Sequence, residues 1–220
     1  MTFSLPESVG MQNLTAIGKG ADLLDANGHL QPRPCAEYDA LSYEDLRLFC
    51  HWNARYLLVT TELVVWLKAL IGDRSALEIG AGCGDLGRAV GIKMTDSYQQ
   101  TWPDVKKYYD LTKQPIIKYG ADVQERDANS AVKKWTPDVV VGAWVTHWID
   151  PHLPPPEGGG NMYGIKEDEI LKHCKYYVLI GAEGIHKYKK IMALPHKVMD
   201  APFVRSRRTD NRIWIWKGEK

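Results

Sequence analysis

The chain has 220 residues, 45% of them hydrophobic, with 28 Lys and Arg against 27 Asp and Glu for a formal charge of +1. That length and apolar share give one domain with a full core, and the near-balanced charge excludes a chain that holds nucleic acid through bulk charge alone. Four scattered cysteines without metal spacing point to a reduced, cytoplasmic setting, and neither a membrane-spanning apolar run nor a signal-peptide pattern is read.

Residues 1–40 show no sustained periodicity and read as a partly ordered arm. Ser42, followed by Glu44 and Asp45, reads as a helix start with Ser42 as cap. Leu46, Phe49, Cys50, Asn53 and Leu57 then recur at helical spacing, and Leu63, Val64, Trp66, Leu67 and Leu70 form a second apolar stripe that Gly72 ends. Residues 1–72 are thus an arm with a helical cap, and 73–220 a second unit. Ala76, Leu77 and Ile79, interrupted by Glu78, lead into Gly80-Ala81-Gly82-Cys83-Gly84, the pattern of a strand feeding a tight loop and a helix N-terminus. Alternating glycines permit positive φ and leave room for a ligand against the backbone. A carboxylate inside that strand costs on the order of several kcal/mol unless it is paired, so Glu78 needs a partner.

A short helix is expected over 86–90 and a second strand over 91–96, followed by a helix from Asp104. Ile116 to Tyr119 reads as a short strand, Val123 to Ala128 as a third strand or turn, and Val132 to Trp135 as a short helix. Pro137 to Val145 is the clearest buried strand, because a continuous Val run suits a parallel sheet covered on both faces. Prolines and glycines make 147–164 an irregular loop, long enough to be functional. A helix over 167–173, a strand over 176–180 and a last strand over 212–216, entered by a turn at Asp210-Asn211, complete the chain. The stretch 183–220 carries ten Lys and Arg against four Asp and Glu, a local excess of +6 that reads as a solvated face or a patch for an anionic partner.

The run from Leu77 to Gly87 resembles the nucleoside-binding loop of class I S-adenosylmethionine-dependent methyltransferases, in which an acidic residue precedes Gly-x-Gly-x-Gly. The resemblance extends over about residues 75–181. It implies a Rossmann-like α/β fold, with a central, mostly parallel seven-stranded sheet, a C-terminal antiparallel strand and an N-terminal helical cap. It also implies S-adenosylmethionine as cofactor, held by Glu78, Gly80, Ala81, Gly82 and Gly84, by Asp96 with Ser97 at the ribose, by Asp127 and Ala128 at the adenine, and by Ala143 and Trp144 at the methyl end. Trp144, Trp148, Asn161 and Tyr163 are the candidate acceptor-binding residues, and His147 is the candidate base if the acceptor starts protonated. His147, Asp150 and His152 are all metal-ligand types, but their spacing is no known signature and no metal is expected. The fourth strand lacks the Asn/Asp-Pro-Pro-aromatic signature, which argues against methylation of a nucleic-acid base nitrogen.

The acceptor expected is a small molecule with a hydroxyl or amine. RNA bound through 183–220 is the alternative, and a non-catalytic S-adenosylmethionine-binding interaction module stays open. Gly82, Gly84 and Gly87 also satisfy the dinucleotide pattern G-x-G-x-x-G, but Asp96 comes nearer than that fingerprint requires and Glu78 has no use in it.

Overall fold

A computed structural model describes residues 21–150, 152 and 160–220. Residues 1–20 of the arm, and Pro154 to Gly159 of the irregular loop, lie outside the described residues. After a single 3-10 turn at Ala21–Leu23, the chain forms α1 (Cys35–Asp39), α2 (Tyr43–Trp52), β1 (Leu57–Leu58), α3 (Thr61–Ile71), β2 (Ala76–Ile79), α4 (Asp85–Val90) and β3 (Lys93–Asp96). There follow α5 (Pro103–Leu111), β4 (Gln124–Glu125), α6 (Ala128–Trp135), β5 (Val139–Ala143), α7 (Glu167–Leu171), β6 (Tyr176–Ala182), α8 (Glu183–His186), β7 (Lys197–Asp200), β8 (Arg205–Ser206) and β9 (Asn211–Lys217).

Seven strands form one sheet in the order β4-β3-β2-β5-β6-β9-β7. β4, β3, β2, β5 and β6 are mutually parallel, and β9 runs antiparallel between β6 and β7. This is the Rossmann-like, mostly parallel sheet expected from the sequence. The chain reverses its direction of travel across the sheet at β2, so the crevice beyond the carboxyl ends of β2 and β5 is the topological switch point, where open α/β sheets bind ligands.

Strand alternation sorts the core into two layers. Val139, Val141, Val178, Ile180 and Ile213 face Leu46, Phe49, Leu63, Leu67 and Leu86 of the helices α2, α3 and α4. Val140, Leu77, Ile79, Leu179 and Trp214 face Ala131, Val132 and Ile170 of α6 and α7. The N-terminal helices therefore cover one face of the sheet and share its core.

Local signals account for most boundaries. Ser42 accepts a hydrogen bond from Asp45 N (3.1 Å) to start α2, an arrangement worth about 1 kcal/mol. Five expectations are corrected. Ile116 to Tyr119 is not a strand; Gln100 Oε1 takes the Ile117 N–H (2.7 Å), which removes it from any ladder. The third strand shrinks to Gln124–Glu125, and α6 begins four residues before Val132 because Asp127 caps it through Ser130 N (3.0 Å). Asn211 opens β9 instead of lying in the turn before it. β6 and β9 are antiparallel neighbours, but α8, β7 and β8 intervene in the chain, and β7, not β9, is the sheet edge.

Candidate active site

The strand–loop–helix reading of the glycine run holds. Gly80, Gly82 and Gly84 have φ of 60°, 56° and 76°, a region that residues with a Cβ enter at a cost. The loop is wound on internal bonds. Ala81 N donates to Thr95 O (3.0 Å), Gly84 N to Ala81 O (2.8 Å) and Gly82 N to Asp96 Oδ2 (2.9 Å).

Glu78 lies on the sheet face that carries α4 and is 2% exposed. Its partner is Gly87, whose N–H donates to Oε2 at 2.7 Å. Gly87 must be glycine, because a Cβ there would come within 2.5 Å of the same oxygen. Burial, reinforced by the nearby Asp85 and Asp96, pushes the Glu78 carboxyl up to about 8 against the Gly87 bond. Asp85 is also buried and raised, held by Arg55 Nε at 2.6 Å and by Leu30 N at 3.1 Å. Asp96 ends β3 as expected. Burial raises it against hydrogen bonds from Gly82, Tyr98 and Ser97 N–H. Each oxygen keeps lone-pair capacity for a further donor. Three raised carboxyl groups thus surround one loop.

Cys83 sits inside the loop as a filler. Burial pushes its thiol up to about 11, although Arg55 Nη1 is 2.6 Å from Sγ. Asp127, exposed at the carboxyl end of β4, spends Oδ1 on the α6 cap, and Ala128 opens that helix. Ile117 covers Gly82, with two methyl carbons 3.5 Å from where a Cβ would stand. Tyr98 stacks on Tyr119 at 3.9 Å between ring centroids and donates to Val123 O at 2.7 Å. Tyr109 Oη accepts from Gln100 Nε2 at 3.0 Å, and sequence reasoning did not single out these aromatics as site residues.

Ala143 ends β5, and Trp144 follows it with φ 58°. Left-handed backbone costs a residue with a Cβ roughly 1–2 kcal/mol. Trp144 Nε1 is also buried with no hydrogen-bond partner among the described residues, which adds about 1–3 kcal/mol. The next residue, Val145, approaches the glycine loop: its Cγ1 is 2.7 Å from a Cβ built on Gly80.

His147 is 4% exposed, and burial, helped by the charges of Lys189 and Lys190, holds it down to about 4. An imidazole with so low an affinity for protons is a weak base at neutrality, so the environment does not suit the general-base role expected of it. Behind it, Lys189 Nζ and Tyr177 Oη donate to Glu167 Oε1 at 2.8 and 2.9 Å in a buried cluster. Trp148 lies under Lys166, 4.5 Å from its ring centroid. Asn161 Oδ1 accepts from Tyr163 N, and the Tyr163 ring meets Trp102 edge-on at 5.1 Å. Asp150 Oδ1 accepts from His152 N at 2.9 Å.

Five of the ten Lys and Arg of the basic C-terminal stretch are ion-paired among the described residues. Arg205 pairs with Asp39, Arg208 with Asp210, Arg212 with Glu183 and Asp200, and Lys220 with Asp138. A cavity of about 490 Å³ opens at the opposite, amino ends of β2 and β3, among Lys68, Arg74, Lys93 and Trp135, and none of the candidate site residues lines it. No described helix is long and apolar enough to cross a membrane.

Solved structures similar to this chain include an S-adenosylmethionine-dependent methyltransferase from Agrobacterium tumefaciens, at 14% identity over 72% of this chain and 61% of that one, with a TM-score of 0.36. A precorrin-6y C5,15-methyltransferase from Geobacter metallireducens matches at 13% identity over 73% and 92% of the two chains, with a TM-score of 0.38. A Pyrococcus abyssi tRNA (uracil-54, C5)-methyltransferase in complex with S-adenosyl-L-homocysteine matches at 12% identity over 70% and 36%, with a TM-score of 0.39. No family model and no curated protein matches the sequence. The fold assignment rests on the strand order and directions.

Proposed function

We propose that the chain is an S-adenosylmethionine-dependent methyltransferase acting on a hydroxyl or amine of a small molecule. The observation that carries this reading is the ring of raised carboxyl groups, Glu78, Asp85 and Asp96, around a positive-φ glycine loop at the switch point of the sheet. Such a loop favours a ligand that is both a nucleoside and a cation. The N–H groups of Ala81, Gly82, Gly84 and Gly87 are spent inside the protein, which leaves fewer donors for a pyrophosphate.

When bound, the cofactor supplies an already activated methyl group on a sulfonium, so the protein's task is placement. Gly80, Ala81, Gly82 and Gly84 form the cradle. Asp96 accepts from ribose hydroxyls, beside Ser97. Asp127 and the Ala128 N–H take the adenine edge, and Ala143 and Trp144 flank the methyl end. Glu78 acts from beneath, fixing Gly87, and a cation in the cradle would favour its ionised form. Trp144, Trp148, Asn161 and Tyr163 receive the acceptor. The pairing of Arg205 with Asp39 and of Lys220 with Asp138 lowers the positive excess that 183–220 would offer RNA.

Isothermal titration with S-adenosylmethionine, S-adenosylhomocysteine and NAD tests this. Binding of the first two at about micromolar Kd with no NAD binding is expected, an affinity near −8 kcal/mol. Binding of NAD alone, or of none of the three, overturns it.

A further inference from the structure

Arg207 is set apart from its neighbours. Its guanidinium has no ion pair and no hydrogen bond among the described residues, whereas Arg205, Arg208 and Arg212 are all paired with carboxylates. It lies over the Tyr56 ring, 5.6 Å from the centroid, and Tyr56 in turn packs on Trp144 at 6.2 Å with a 33° tilt. A row of Arg, Tyr and Trp thus leads from the C-terminal segment to the carboxyl end of β5.

The fold builds this row deliberately. β1 and β8 pair antiparallel, with Leu57 opposite Ser206 and Leu58 opposite Arg205, which brings Arg207 opposite Tyr56. Tyr43 Oη donates to Arg207 O at 3.2 Å and fixes its backbone. Arg55, one residue before Tyr56, is bound to Asp85 beside the glycine loop. Tyr43, Cys50, His51 and Tyr56 lie around Arg207; its charge helps to lower His51, and no carboxylate among the described residues pairs with it. At the other end, Trp144 keeps a left-handed backbone and an indole N–H with no partner among the described residues.

We infer that Arg207, Tyr56 and Trp144 form a subsite for an aromatic ligand carrying an anionic oxygen group, a carboxylate or phosphate, and that the methyl acceptor is of this class. Arg207 takes the anion, as guanidinium groups do with planar oxyanions. Tyr56 and Trp144 present ring faces to the aromatic part. That this ligand is the acceptor rests on the methyltransferase reading; the existence of the subsite does not.

The test titrates the full chain, with and without saturating S-adenosylhomocysteine, using 4-hydroxybenzoate, 4-hydroxyphenylacetate and phenyl phosphate. Each is paired with its neutral counterpart: 4-hydroxybenzamide, 4-hydroxyphenylacetamide and phenol. Tryptophan fluorescence and calorimetry both report binding. At least one anion is expected to bind about tenfold or more tightly than its neutral partner, the size of one hydrogen bond to a charged group. R207M abolishes that preference and leaves the neutral compound's Kd and the S-adenosylhomocysteine Kd unchanged, and R207K restores part of it. W144F removes the fluorescence response.

No anion preference in any pair, or an equal loss for both members in R207M, overturns the subsite. If S-adenosylhomocysteine fails to bind while Arg207-dependent anion binding persists, the methyltransferase reading falls and the subsite stands. The reverse pattern keeps the methyltransferase and discards the subsite.

Discussion

Glu78→Gln is the most informative single change, because its effect on stability depends on pH in a calculable way. The carboxyl has an ordinary value of 4.5 and is pushed up to about 8 in the fold. Between those values the folded chain holds a proton that the unfolded chain has lost. Stability from this group is therefore complete below about pH 4.5 and falls as pH rises toward about 8. At pH 7 the loss amounts to about 3 kcal/mol, at roughly 1.4 kcal/mol per pH unit over about 2.5 units. Glutamine has nearly the same shape, can still accept the Gly87 N–H, and has no proton to lose.

The variant is thus expected to exceed the wild type by up to about 3 kcal/mol at pH 7 and by less than about 1 kcal/mol at pH 5. Guanidinium unfolding of both proteins at pH 5, 6, 7 and 8 measures the difference; Asp85 and Asp96 titrate in both and largely cancel. A difference that stays flat with pH, or that shrinks as pH rises, refutes the placement of a raised carboxyl at this position. The same variant is expected to bind S-adenosylmethionine more weakly, because a cation in the cradle favours ionised Glu78. In the wild type, cofactor binding then releases a proton, which calorimetry in buffers of different ionisation enthalpy detects.

Other consequences follow from neighbouring contacts. Asp96→Ala leaves the Gly82 and Tyr98 N–H groups without their acceptor, lowering stability by about 1–3 kcal/mol in denaturant unfolding and eliminating cofactor binding by calorimetry. Asp127→Ala removes the α6 cap, costing about 0.5–2 kcal/mol, whereas Asp127→Ser keeps a capping oxygen. If Asp127 holds the adenine, both variants lose cofactor affinity but only the alanine melts earlier; normal binding by the serine variant removes Asp127 from the site. Lys189→Met strands the buried Glu167 carboxylate and costs about 3–5 kcal/mol, and adding Glu167→Gln recovers much of it in thermal unfolding.

Glycine spacing, apolar periodicity and a valine run were enough to read the strand–loop–helix at 76–90, the central strand β5 and the helices α2 and α3, though not α1, because each depends on a few adjacent residues. The end of β3 followed, and with it Asp96, whereas β5 stops at Ala143, short of the expected Val145. Other features depend on residues that meet only when the chain returns. Gln100 takes the Ile117 N–H and cancels an expected strand. The two-residue β1 forms only against β8, and that pairing alone brings Arg207 to Tyr56. Sequence showed that Glu78 needed a partner, but Gly87 became that partner only through the packing of α4 on β2. Sequence counted a charge of +6 over 183–220, and only the fold decided that Asp39 and Asp138, far away in the chain, would neutralise part of it. His147 carried the right chemistry for a base until burial beside Lys189 and Lys190 lowered its proton affinity. Backbone conformation is set by near neighbours and is written locally; partnership, solvation and charge are set by whatever the fold brings alongside.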